Sequence, residues 1–149
     1  MARQMQTEEA RRDLALKMTA AGTQIRERYG PQIGWPELLR LLEDRACAPY
    51  PCEIQFDSGP LLPGEFAHPV PKGKAPEEGY IIYVHPAYAS QLGRVPYLVL
   101  HQLAGINYGE TTSADDAETF GSLALGLSKE EYYRALCELS GQLGGDELV

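Results

Sequence analysis

Apolar residues in the first part of the chain fall at helical spacing. Leu14, Met18, Ala21, Ile25 and Tyr29 lie three or four positions apart, and Gly30-Pro31 then breaks the pattern. With Thr7 as N-cap and Glu8 and Glu9 in the first turn, this predicts an amphipathic helix of about six turns. Pro36 suits a first helical turn and leads into Leu38, Leu39, Leu41 and Leu42, a second helix that ends before Pro49. The two are expected to pair, as an N-terminal unit over about residues 7–48.

The periodicity then shortens to that of strands. Cys52-Glu-Ile-Gln-Phe-Asp57 alternates in polarity, and Tyr80-Ile-Ile-Tyr-Val84 is a continuous β-branched and aromatic run. The Gly/Pro-rich stretch from Ser58 to Gly79 reads either as a long hairpin loop or as a loop holding an irregular edge strand near Glu65 to Val70. Three further helices are expected: Pro96 to Tyr108, Ala114 to Leu125, and Lys129 to Leu143. Ser113-Ala-Asp-Asp116 and Ser128-Lys-Glu-Glu131 are capping-box sequences, and Gly144-Gly145 reads as a frayed tail. The expected class is α+β: a small sheet and about five helices in a single domain over residues 1–149, its core at about 52–143.

Composition narrows the function classes. The 149 residues are 44% hydrophobic and 23% charged, as in a globular chain able to bury a core of its own. A formal charge of −8 argues against nucleic acid, since phosphate contacts need clustered Lys and Arg. Arg11, Arg12, Lys17, Arg26 and Arg28 are interspersed with Glu8, Glu9, Asp13 and Glu27, as on a solvated helix face. With neither a signal-like apolar run nor a bilayer-length one, no membrane association is expected and the cytoplasm is the default location. Cys47, Cys52 and Cys137 lack CxxC spacing and read as reduced thiols, with a Cys47–Cys52 bridge left open.

The stretch that could carry chemistry is Arg94-Val-Pro-Tyr-Leu-Val-Leu-His101-Gln102-Leu-Ala-Gly105, an apolar helix with one histidine set into it. It is followed by a helix opening Asp115-Asp116-Ala-Glu118-Thr-Phe120. Zinc hydrolysis on a helix needs two His one turn apart, a Glu beside the first to activate water, and a further ligand from elsewhere. In order and spacing, Tyr80-Ile-Ile-Tyr-Val-His85-Pro86, the His101 helix, Asp116-Ala-Glu118-Thr-Phe120 and Ser128-Lys-Glu-Glu-Tyr-Tyr-Arg-Ala-Leu136 resemble the ImmA/IrrE-like zinc peptidases. In that family a strand leads to a His-Glu-x-x-His helix, and a later helix supplies a carboxylate ligand. The resemblance covers about residues 80–136. It implies a zincin-like core with His101 as first ligand, Gln102 in the place of the general-base Glu, Gly105 in the place of the second His, and Asp116 as the carboxylate ligand. Gln cannot take up and return a proton, and Gly offers no ligand atom. The implied protein is a zincin-like domain without zincin hydrolysis.

The residues also admit other readings. His101 can be a core histidine donating to a backbone carbonyl, and Asp116 can be the capping partner of Ser113. His68 and His85, each before a proline, could join His101 and Asp116 in a rearranged metal site, with Glu110, Asp115 or Glu118 as base. Tyr97, Tyr108, Tyr132 and Tyr133 read as core-edge residues with hydroxyls in water. The expected function is binding or regulation, with a protein or peptide partner in a cleft at His101, Gln102, Gly105 and Asp116. A metal-dependent hydrolase is the alternative. No cofactor is expected, zinc being the one metal the motif leaves open, and the N-terminal helices are the expected surface for any oligomer.

Overall fold

Among the residues that the computed structural model describes, 2–109 and 111–147, the chain runs through five α-helices and three strands. They are α1 (Ala2–Tyr29), α2 (Trp35–Glu43), β1 (Cys52–Phe56), β2 (Ala67–Pro71), β3 (Tyr80–Val84), α3 (Val95–Tyr108), α4 (Ala114–Leu125) and α5 (Lys129–Glu147). The class is α+β. α1 starts upstream of the expected cap, so Thr7 lies within the helix, and α5 runs on through Gly144-Gly145. Each interior glycine costs about 1 kcal/mol relative to alanine, which does not by itself end a helix.

The strands form one mixed sheet in the order β1-β3-β2, with β1 parallel and β2 antiparallel to β3. The Ser58–Gly79 stretch is therefore not a hairpin loop; it carries β2 to the far side of β3. Opposed residues share a face of a sheet, so the register sorts the side chains. Cys52, Ile54 and Phe56, Ile82 and Val84, and Ala67 and Pro69 lie on one face, where Ile82, Val84 and Ala67 are buried. Glu53, Gln55, Ile81, Tyr83, His68 and Val70 lie on the other, and Glu53 pairs there with Lys72 at 3.2 Å.

The helices cover the first face. α3 packs under β2 and β3, α4 packs on α3, and α1 lies along α4. The buried side chains of all these elements form one cluster. The N-terminal helices do not pair as expected. The buried stripe of α1 is Met18, Gly22 and Ile25, and it faces α4 at close range: a Cβ on Gly22 would sit 2.7 Å from the carbonyl oxygen of Phe120. α2 instead turns Leu38, Leu41 and Leu42 into the core beside α3 and β1. What ties α1 to α2 is Asp44, which accepts hydrogen bonds from Arg28 (2.9 Å) and from the Tyr29 hydroxyl (2.8 Å). Together with the Ala46 amide, these hold its carboxyl down at a pKa of about 2, the Tyr29 bond contributing most.

Both capping boxes form: Ser113 Oγ accepts from the Asp116 amide and Asp116 returns a bond to the Ser113 amide, with the same exchange between Ser128 and Glu131. All three cysteines are free thiols, with burial raising Cys47 and Cys52 to about 11. Among the described residues, no helix is long and apolar enough to cross a membrane.

Candidate functional site

Eight residues of α3 are buried, and proline near its start and Gly109 after its end (φ 90°) delimit it. His101 sits at the margin of this apolar surface, half-buried, with its ring edge-on to Phe66 at 6.0 Å, just before β2. Loss of hydration lowers its pKa below the ordinary 6.5, so the neutral ring is favoured. Among the described residues it has no side-chain hydrogen bond, so the expected donation to a backbone carbonyl is absent.

Gln102 and Gly105 follow on α3, each half-buried. A Cβ on Gly105 would meet nothing within 4 Å, whereas one on Gly121 of α4 would lie 2.4 Å from the Tyr132 ring. Packing thus requires glycine at 121 and leaves space unfilled at 105. The space lies one turn beyond His101, where a side chain at i+4 would stand beside the imidazole.

Asp116 is held at the start of α4 by its cap. It also lines a groove of about 600 Å³ whose other walls are Ala10, Arg11 and Leu14 of α1 with Thr111, Ser113 and Asp115. His101, Gln102 and Gly105 are not among the described residues lining it, so the four cleft candidates do not share that groove. Asp115 in turn pairs with Lys129, and Glu110 lies outside the described residues.

His68 belongs to the sheet face opposite Ile82 and Val84, turned away from α3, and pairs with Glu65 at 3.4 Å. His85 accepts the Ala87 amide on Nδ1 at 3.1 Å, capping the short turn after β3, and its ring packs edge-on to Tyr88. The rearranged metal site therefore does not assemble. Among the described residues, no three of His, Cys, Asp and Glu are placed to hold a metal ion. The donors around His101 do not fit zinc: one imidazole, an amide, an empty position and a carboxylate engaged elsewhere.

Tyr97 and Tyr108 sit half-buried at the core edge as expected, whereas Tyr132 lies deeper. Tyr132 is wholly buried, donates to the Tyr97 carbonyl at 2.5 Å and stacks on the Tyr97 ring; Tyr88 donates to the Leu139 carbonyl at 2.6 Å, burial pushing its pKa up to about 12. Only Tyr133 of the four expected at the edge is largely exposed, at 57%.

The edge strand over α3 carries a feature that pattern reading missed. His85 donates its amide to Phe66 and Lys72 donates to Gly79, so the even-numbered residues of β2 face β3. Ala67, Pro69 and Pro71 consequently point their backbone groups to the open edge, and two of these three have no N–H to offer. An extended peptide laid on this edge would find carbonyls but almost no donors. The signal was the alternate prolines in His68-Pro-Val-Pro71. Their meaning depends on which parity faces β3, and that is set only by the pairing.

No protein-family profile, curated protein or solved structure matches this chain.

Proposed function

We propose that this chain is a non-catalytic zincin-like domain that works by binding a protein or peptide partner. The observation that carries the reading is the vacant, unobstructed position at Gly105, one turn from His101 and next to Gln102. Glycine inside a helix costs about 1 kcal/mol relative to alanine, and no neighbour at this position requires it. The succession of β3, the His101 helix and an acid-capped following helix supports kinship with the ImmA/IrrE-like zinc peptidases. Gln102 cannot activate water, so an occupant of the space beside His101 would be held and not cleaved.

The proline-blunted β2 edge limits what that occupant can be. It offers the carbonyls of Ala67, Pro69 and Pro71, so the partner must donate hydrogen bonds, through its own amides or side chains, instead of adding as a fully paired strand. The reduced thiols agree with a cytoplasmic location.

Elemental analysis of tag-free protein, wild type against His101→Ala, tests the reading. We expect no stoichiometric zinc in either and no peptidase activity. Near-stoichiometric zinc in the wild type that is lost in His101→Ala would contradict the proposal and revive a hydrolase.

A further inference from the structure

The two edges of the sheet are built differently. On the β1 side, the Tyr80 amide donates to Pro51 at 2.8 Å and the Asp57 amide donates to Val84 at 3.1 Å. In a parallel pair this fixes residues 51, 53, 55 and 57 as those facing β3. The backbone N–H and C=O groups of Cys52, Ile54 and Phe56 therefore point to the outer edge, and none has a hydrogen-bond partner among the described residues. Where β2 carries prolines, β1 has none, so this edge keeps every donor and acceptor. Unpaired edges of this kind are templates for strand addition, and proteins usually blunt them.

We propose that β1 is a self-association edge, on which a second copy of this chain adds its own β1 in antiparallel orientation about a two-fold axis at Ile54. The register argues for a second copy. Pairing the outward groups brings Ile54 opposite Ile54, and Cys52 opposite Phe56 of the second copy, each pair exchanging both backbone bonds. On the exposed face, Glu53, which keeps its 3.2 Å ion pair with Lys72, then stands opposite the uncharged Gln55 of the second copy. A slip of two residues one way would set Glu53 against Glu53; a slip the other way would set it against Asp57. Like charges directly opposed across strands are destabilising, so full overlap is the one of these symmetric registers free of repulsion. On the other face, Ile54 and Phe56 are half-buried and Trp35 packs on Phe56 at 6.0 Å. The edge thus has apolar surface beside it to bury. This association does not depend on what α3 binds.

Sedimentation equilibrium of the full chain, from micromolar to several hundred micromolar, tests the proposal. We expect a reversible dimer. Gln55→Glu should weaken it about tenfold by opposing Glu53 across both symmetric pairs, and Gln55→Lys should tighten it. The Gln55 side chain is exposed, so neither change disturbs the monomer, which circular dichroism would verify. Ile54→Pro deletes an outward N–H without removing a β1–β3 bond and should leave monomer only. A wild type that stays monomeric at several hundred micromolar overturns the proposal, as does a dimer indifferent to both Gln55 substitutions.

Discussion

His101 is a half-buried imidazole beside Phe66 with no hydrogen-bond partner among the described residues, and its environment penalises protonation. Its folded pKa lies below its unfolded value near 6.5, so the unfolded state binds the proton more readily. The stability it contributes is complete above that value and is lost as pH falls below it. Denaturant unfolding of wild type at pH 7.5 and 5.5 should show a loss that His101→Leu largely removes; an equal loss in both would contradict this. Asp44 acts in a more acidic window. With its folded pKa near 2 against an ordinary 3.8, its bonds to Tyr29 and Arg28 stabilise the fold above about pH 4 and fail as pH falls towards 2. Asp44→Asn should flatten the unfolding profile in that interval and leave the neutral-pH limb parallel to wild type. His101 was visible in the sequence as a lone histidine on an apolar helix. Its lack of a partner was not, because that depends on what β2 and the preceding loop bring over it.

The glycines of α3 and α4 have opposite meanings, and alanine substitution separates them. Gly121→Ala places a methyl against the ring of Tyr132, which is fixed by its bond to the Tyr97 carbonyl, so a loss of about 1–3 kcal/mol is expected from overpacking. Gly105→Ala enters open space in a helical backbone and should stabilise by up to about 1 kcal/mol. Thermal denaturation of the two variants checks the contrast, and a destabilised Gly105→Ala would remove the argument for vacant space beside His101. Element boundaries were largely legible: β3 and α4 fall where periodicity and the Ser113 capping box placed them. The partners of α1 were not. Its apolar repeat says that one face is buried but not against which helix, and α4 was selected by the close approach at Gly22.

Over the whole molecule, the helices cover one face of the sheet, while its two edges differ in backbone chemistry. The β2 edge, above α3, is poor in donors because Pro69 and Pro71 occupy its outward positions; the β1 edge is intact. The self-association proposed for the β1 edge would lie on the side of the sheet away from β2, which α3 packs against. Strand existence was readable from alternation, but the parallel β1–β3 pairing, and with it every statement about the edges, follows from long-range topology that local sequence does not encode. The proposed function takes α3 as a zinc-peptidase helix from which the second His and the Glu are missing. Zinc titration of the double variant Gln102→Glu, Gly105→His tests it most directly. We expect one zinc per chain at micromolar affinity, held by the two imidazoles and water because Asp116 is engaged in its cap, and weakened by His101→Ala, since imidazoles four residues apart on a helix face one metal. A folded double variant that binds no zinc, or binds it without regard to His101, would contradict the account.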